Sequence, residues 1–241
     1  MKQKSFVKIY TVIIWSITLI LVLAGIGYHI GGIFEFGSRK AIEKTIPVNE
    51  SVEKLVVDVD AGDVVIKEGD DFEVTFKYPE KYAPTVTLSD NRLEIKQKQK
   101  KINGNTNTNK GNYKLTITIP EGTKITSADM NLNLGRLVVR DLDCTDVSAN
   151  CDAGDFEVKD CTASIVNVNV DMGEINMKDS TITTITANAD MGDVNLDVDA
   201  DTISAHCDMG NVTVKTVKAD NEVSIKATCS LGKVTVNGKD W

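Results

Sequence analysis

Six copies of one short phrase fill the chain from residue 130 to its C-terminus. Each copy is an alternating run, a Gly and a second alternating run, and the copies read NLNLGRLVV, NCDAGDFEV, NVDMGEINM, NADMGDVNL, HCDMGNVTV and TCSLGKVTV. They are centred, at a nearly constant interval, on Gly135, Gly154, Gly173, Gly192, Gly210 and Gly232. Because so short a unit buries its apolar face only by stacking on its neighbours, the sequence predicts an elongated β-solenoid.

The phase of the repeat predicts which side chains face the core. The residues five, three and one before each Gly are apolar and are predicted to point inward: Ala149, Cys151, Ala153, Val168, Val170, Met172, Ala187, Ala189, Met191, Ala205, Cys207, Met209, Ala227, Cys229 and Leu231. Polar residues such as Asn169 and Asp171 alternate with them, which is typical of a strand with one wet face. Apolar residues recur two and four places after the Gly, as Ile175 and Met177 do. The pattern therefore predicts two strands joined at an Asp-x-Gly turn.

The coil length selects among the repeat architectures. A coil of about 19 residues has room for the two strands and a third short one, such as the segment 183–186. A leucine-rich repeat needs an LxxLxL run, and a calcium-binding nonapeptide repeat needs GGxGxD; this sequence contains neither. We therefore predict an all-β, parallel β-helix-like solenoid of about 19-residue coils, with its handedness left open.

A detached first copy of the phrase, LVVDVDAGDVVI around Gly62, lies well upstream of the copy around Gly135. The insertion between them predicts strands at 72–77, 85–88, 92–96 and 113–119, which we expect to form antiparallel hairpins that cap the open end of the solenoid. Residues 96–112 are basic and then rich in Asn, Thr and Gly, which favours a solvated loop over a basic site for anionic wall polymer. The predicted domains are thus an N-terminal β region at 51–119 and the solenoid at 120–241.

Residues 9–34 contain no Asp, Glu, Lys or Arg. A stretch of about 20 apolar residues crosses a bilayer, and Tyr10, Trp15 and Tyr28 lie towards the ends, where aromatic side chains favour the interface. We predict a transmembrane helix at 9–34, after a cytoplasmic tail at 1–8 and before a polar linker at 35–50. A cleaved signal peptide is the alternative, although its apolar stretch is usually shorter.

The orientation of this predicted span does not follow from its flanking charges. Three basic residues precede it and three follow it, so the positive-inside rule does not decide. The tail is too short to be a domain, which favours a cytoplasmic N-terminus. The expectation is a single-pass protein of the cell membrane whose repeats are extracellular.

Negative charge is concentrated on the repeats. The chain carries a formal net charge of −8; residues 1–34 contribute +3, residues 35–119 contribute zero and residues 120–241 contribute −11. Nucleic acid is therefore excluded as an expected partner, since phosphate binding requires a basic surface. A cationic partner, divalent ions and simple solubility remain as reasons for the acidic repeats.

Two acidic columns flank the repeat glycines. Their members are predicted to stack two positions before the Gly, at Asp152, Asp171, Asp190 and Asp208, and one position after it, at Asp155, Glu174 and Asp193. Each Asp could accept hydrogen bonds from the backbone of its own turn, or the columns could hold calcium between coils. Turn capping is the preferred interpretation because it explains Asp in these turns without an ion, so no metal or cofactor is predicted.

The remaining candidate chemistry is sparse. Cys151, Cys207 and Cys229 occupy one inward repeat position, and the last two would be close enough on adjacent coils for a disulfide, although buried free thiols are preferred. His29 and His206 have no second ligand near them in the sequence, which disfavours a transition-metal site. The sequence has no GxSxG motif. We therefore expect a protein that is not an enzyme.

The periodic DMG-[DEN]-[VI] phrase, the upstream VDAGDV copy and the single N-terminal span together resemble the bacterial putative-adhesin family of β-strand-repeat proteins, a domain-of-unknown-function family. The resemblance covers about residues 45–241. It implies a β-helix-like fold and cell-surface placement, and it brings no catalytic or binding residues. The favoured function is a membrane-anchored adhesin or envelope interaction module that contacts an envelope protein or cell-wall polymer. A regulator or sensor of envelope stress and a wall-glycan-acting enzyme are the alternatives.

Overall fold

The computed structural model describes residues 41–98, 113–219 and 221–241, all of which belong to one compact unit. The predicted tail at 1–8, the predicted span at 9–34 and most of the basic stretch at 96–112 lie outside the described residues. Within the described ranges, no helix has the length and apolar character needed to cross a membrane.

The described residues form sixteen strands and one turn of 3-10 helix at Glu80–Tyr82. The N-terminal strands are β1 (Ala41–Pro47), β2 (Lys54–Val59), β3 (Gly62–Gly69), β4 (Glu73–Pro79), β5 (Thr85–Ser89), β6 (Arg92–Gln97) and β7 (Lys114–Pro120). The repeat strands are β8 (Lys124–Arg140), β9 (Asp143–Lys159), β10 (Thr162–Met172), β11 (Ile175–Met191), β12 (Val194–Met209), β13 (Val212–Lys215), β14 (Ser224–Leu231), β15 (Val234–Val236) and β16 (Lys239–Asp240).

Parallel pairing at the repeat period builds the solenoid. Val170 in β10 pairs with Ala189 in β11, one repeat later, and Ile175 pairs with Val194 at the same step. Strands β8 to β15 are joined in this way, each segment before a Gly pairing with the next such segment and each segment after a Gly doing likewise. The predicted all-β solenoid of about 19-residue coils is confirmed.

The alternating pattern places small and branched side chains in the core. Val168, Val170, Ala187 and Ala189 are buried, as are the residues two and four places after the glycines from Gly62 to Gly210, such as Phe156. The third short strand expected at residues 183–186 is not separate, because β11 continues from Ile175 to Met191 with a register shift between Lys178 and Ser180. The chain bends there through Asp179, which has a φ of 51°.

The prediction is wrong at the position directly before the Gly. Met172, Met191 and Met209 are 43–49% exposed and Leu231 is 68% exposed, although simple alternation puts them inside. The reason is the corner of the coil. The chain turns at the glycine, so a run such as residues 171–174 follows the outside of the bend and none of its members is buried.

The insertion combines both kinds of pairing. The four predicted insertion strands correspond to β4, β5, β6 and β7, and the pairs β5–β6 and β4–β7 are antiparallel, as expected. However, β6 and β7 also pair in parallel with β2 and β3, so they extend the parallel stack beyond the first repeat copy. Part of the predicted 35–50 linker is also strand: β1 pairs antiparallel with β4, and its Ile42 and Ile46 pack against the core.

Candidate functional site

The repeat glycines stack into one corner of the solenoid, which we call the glycine corner: Gly62, Gly135, Gly154, Gly173, Gly192, Gly210 and Gly232. Their φ angles lie between 138° and 152°, a region that other residues avoid. Space is restricted as well. A Cβ atom built on Gly173 would lie 2.6 Å from the carbonyl carbon of Gly154 and closer still to its oxygen. Glycine is therefore required both by the backbone angle and by the approach of the neighbouring coil.

An apolar strip runs along this corner on the outside of the coils. We call it the methionine ridge, and it consists of Met172, Met191, Met209 and Leu231. Each member pairs in register with the next, from Met172 to Met191, from Met191 to Met209 and from Met209 to Leu231. Ala153 and Leu134 continue the strip on the preceding coils and are half-buried. Four successive coils thus present one large apolar side chain each to solvent.

The predicted acidic columns lie on either side of the methionine ridge. The upstream column is Asp152, Asp171, Asp190 and Asp208, and the downstream column is Asp155, Glu174 and Asp193. Asp193 is half-buried, and the other six side chains are exposed. The structure therefore brings all seven predicted acidic residues to the same corner as the seven predicted glycines. What the sequence pattern did not show is the apolar ridge between the two columns.

Two members of the downstream column, Asp155 and Asp193, bond to the backbone of the next coil. The Glu174 N–H donates to Asp155 Oδ1 at 3.1 Å, and the Asn211 N–H donates to Asp193 Oδ1 at 2.7 Å. These bonds join adjacent coils, because the acceptor lies directly beside the equivalent turn of its neighbour. The expected capping of a turn by its own Asp is not what these two residues do.

The upstream column has few partners. Asp208 accepts a bond from the Ser230 hydroxyl at 3.1 Å and lies 3.2 Å from His206 Nε2. No hydrogen bond between residues that the structure describes reaches the carboxylates of Asp152, Asp171 or Asp190. Among the described residues 41–98, 113–219 and 221–241, no group of three or more His, Cys, Asp or Glu side chains lies close enough together to hold a metal ion.

An asparagine ladder lies two residues before the upstream column. The Nδ2 of Asn150 donates to Asn131 Oδ1 at 3.0 Å, Asn169 donates to Asn150 at 3.1 Å, and Asn188 donates to Asn169 at 3.0 Å. On the next coil His206 takes this place, with Nδ1 2.8 Å from the Thr228 hydroxyl. Because each amide uses one donor and one acceptor on its neighbours, the ladder fixes the register of the strands beside the corner.

All five cysteines are free thiols. Cys207 and Cys229 are paired in register on adjacent coils, and their Sγ atoms donate to the carbonyl oxygens of Gly192 and Gly210, each at 3.1 Å. Burial raises the pKa of Cys207 to about 11 and the pKa of Cys144 and Cys151 to about 12. The thiols of Cys144, Cys151 and Cys207 are thus neutral core side chains at physiological pH rather than nucleophiles.

Comparison with solved structures finds the same fold in a putative adhesin and a weaker likeness in a second protein. A putative adhesin from Bacteroides fragilis NCTC 9343 matches with 16% identity and a TM-score of 0.50, over 83% of this chain and 98% of that chain. A putative cell adhesion protein from Clostridium sporogenes ATCC 15579 matches with 15% identity and a TM-score of 0.49, over 82% of this chain and 99% of that chain. No curated protein gives a significant match to the chain.

The repeat region is also matched by a family model. The Toastrack DUF4097 model aligns with residues 52–240, which include the first repeat copy, the insertion and every later coil. This range contains all of the glycines and acidic residues that define the corner. The chain belongs to the Toastrack DUF4097 family, as the resemblance of its repeat phrase to the putative-adhesin family implied.

Proposed function

We propose that the protein is a membrane-anchored, non-enzymatic cell-surface protein whose solenoid presents a rigid, repeated surface to another protein of the envelope. The observation that carries this proposal is the glycine corner, where successive coils repeat the same apolar and acidic side chains in register. Repetition of this kind builds an extended binding surface rather than a single pocket. The description of the Bacteroides fragilis relative as a putative adhesin supports a contact function of this kind.

The rigidity of the surface follows from its bonding. The asparagine ladder and the backbone bonds to Asp155 and Asp193 connect each coil to the next at the corner. Because the backbone of the corner is held in this way, it rearranges little when a partner binds, which lowers the cost of association. A rigid, repeated surface of this kind is suited to binding a partner.

The proposed placement has residues 1–8 in the cytoplasm, residues 9–34 in the membrane and residues 35–241 outside. The uncharged stretch at 9–34 supports an anchor of this length. Such an anchor would tether the interaction surface to the membrane, where it could meet envelope proteins or a cell-wall polymer.

Protease treatment of intact cells tests this placement. Cells that produce the full chain with a C-terminal epitope tag are treated with protease before and after lysis, and the tag is followed by immunoblot. We expect the tag to be lost from intact cells while a cytoplasmic control protein survives. Loss of the tag only after lysis would refute the extracellular placement.

A further inference from the structure

The methionine ridge is an exposed apolar surface, and the residues that border it are polar. Its three Met side chains are nearly half exposed and stand on adjacent coils. Exposed apolar patches rimmed by polar groups mark interaction sites. Met in particular adapts its shape to varied apolar partners, because its side chain is unbranched and polarizable. The ridge therefore has the chemistry of a docking surface for apolar side chains.

The charges beside the ridge restrict what can dock there. At Met172 and Met191 acidic side chains lie on both sides of the ridge. No ion pair between residues 41–98, 113–219 and 221–241 neutralises any of six acids of the two columns: Asp152, Asp155, Asp171, Glu174, Asp190 and Asp193. An anionic lipid surface would be repelled by this arrangement. A partner with basic residues on both sides of an apolar stripe would be attracted.

The spacing of the ridge fits one kind of partner. Strands in a sheet are about 4.8 Å apart, so the ridge offers one apolar side chain per step of that length along the stack. An amphipathic helix offers one apolar residue about every 3.5 residues along its seam, or about 5.3 Å at a rise of about 1.5 Å per residue. The two spacings stay in step over the three intervals between Met172 and Leu231, which about ten helical residues span.

We propose that the methionine ridge and its two acidic columns bind a basic amphipathic helix of a partner protein. The apolar stripe of the helix packs on Met172, Met191 and Met209, and its Lys or Arg side chains pair with the carboxylates on either side. This inference deepens the proposed function by naming the surface and the class of partner. It predicts binding that weakens as salt is added, because both partners carry exposed charge.

A designed peptide tests the proposal on the purified full chain in mild detergent. The probe is a fluorescently labelled helical peptide of five turns with one Leu stripe flanked by Lys on both sides, and binding is followed by anisotropy. A peptide with Glu in place of every Lys is the charge control. We expect the Lys peptide to bind and the Glu peptide not to bind. The variant with Met172→Gln, Met191→Gln and Met209→Gln should lose at least about tenfold in affinity.

Matched variants separate the ridge from general effects. Ile165→Gln removes another exposed apolar side chain that lies off the ridge, and it should leave the affinity unchanged. Asp171→Asn with Asp190→Asn should lower the affinity and flatten its dependence on salt, whereas Asp197→Asn, an exposed acid outside the two columns, should do neither. Each variant must keep the circular dichroism spectrum and melting temperature of the parent to within a few degrees.

Three results would overturn the proposal. They are no binding of the Lys peptide, equal binding of the Lys peptide to the parent and to the triple Met variant, and equal binding of the Lys and Glu peptides to the parent. The peptide assay takes place in solution, so it does not depend on where the repeats lie in the cell. If the peptide does not bind but the tag is lost from intact cells, the proposed partner is rejected and the placement stands. If the peptide binds but the tag is lost only after lysis, the placement is rejected and the proposed partner stands.

Discussion

Replacing Gly173 by Ala adds only one methyl group, but it should destabilise the solenoid far more than the same change in an ordinary surface turn. Gly173 has a φ of 143°, and its new Cβ would lie 2.6 Å from the carbonyl carbon of Gly154 and 3.2 Å from Asp155 Oδ1. The nearest obstruction is backbone, which cannot move aside as a flexible side chain could. An unfavourable backbone angle costs about 1–3 kcal/mol, and forced overpacking adds about the same. The expected loss is therefore about 2–6 kcal/mol, a large share of the roughly 5–15 kcal/mol typical of a whole domain.

Gly122→Ala is the matched control. Gly122 also has a positive φ, of 75°, but nothing lies within 4 Å of a Cβ built on it. Only the backbone cost remains there, about 1–2 kcal/mol. The free energy of unfolding of the full chain is measured by urea titration followed by circular dichroism, with the slope of the transition checked for each variant. If Gly173→Ala cost no more than Gly122→Ala, the close stacking of the glycines would be refuted.

The remaining predictions concern the faces, the ladder, the thiols and calcium. Val170→Asp should unfold the array because it buries an unpaired charge, whereas Met191→Asp should leave it folded because Met191 is on the surface; equal losses in a urea titration would contradict the face assignment. Asn169→Asp should cost only about 1 kcal/mol, since it removes the hydrogen bond that its exposed amide donates in the ladder; a loss above about 3 kcal/mol in the same titration would be too large for that bond. Burial raises the pKa of Cys144 and Cys151 to about 12 in the folded protein. The stability that these neutral thiols contribute is therefore present below about pH 8.5, the pKa of an unfolded thiol, and is lost as the pH rises towards the pKa of the folded state. A double Cys→Ala variant should therefore show a shallower decline in the free energy of unfolding between about pH 8.5 and 11, and an identical decline would count against the argument. The melting temperature should be the same in EDTA and in millimolar calcium at matched ionic strength, whereas a rise of many degrees in calcium, abolished by Asp171→Asn with Asp190→Asn, would show an intercoil metal site.

The regular part of the fold was predictable because the repeat determines it. The spacing of the glycines indicated the coil length, and the alternation around Val168 and Val170 indicated the buried face. Both depend on local sequence alone. The insertion strands could be located for the same reason, since each is a short alternating run between turn residues.

The features that escaped prediction depend on geometry between coils. Alternation places Met172 inside, but the bend at the next residue carries it to the surface, and no local pattern records that bend. The parallel pairing of β6 with β2 brings Leu93 beside Leu55, and neither segment alone indicates that partner. Asp155 was expected to serve its own turn, whereas it bonds to a backbone N–H that only stacking brings close. The acidic columns were thus predicted, and the apolar ridge between them was not.

A second bend, present in three successive coils, left a signal in the sequence that could have been used. Asp141, Asp160 and Asp179 recur at the repeat period and have φ angles between 51° and 54°. Asp is one of the few residues besides Gly that tolerates this region. A column of Asp at a fixed distance after successive repeat glycines therefore indicates a bend there.

Labelling of single cysteines in intact cells tests the central claim most directly, that the glycine corner is a surface displayed outside the membrane. In a chain whose five native cysteines are replaced by Ala, Asp190→Cys places a thiol beside the methionine ridge and Val170→Cys places one in the core. A membrane-impermeant maleimide should label Asp190→Cys on intact cells as fully as after lysis, and it should label Val170→Cys only after denaturation. Labelling of Asp190→Cys only after lysis, or equal rates for the two variants, would contradict the account.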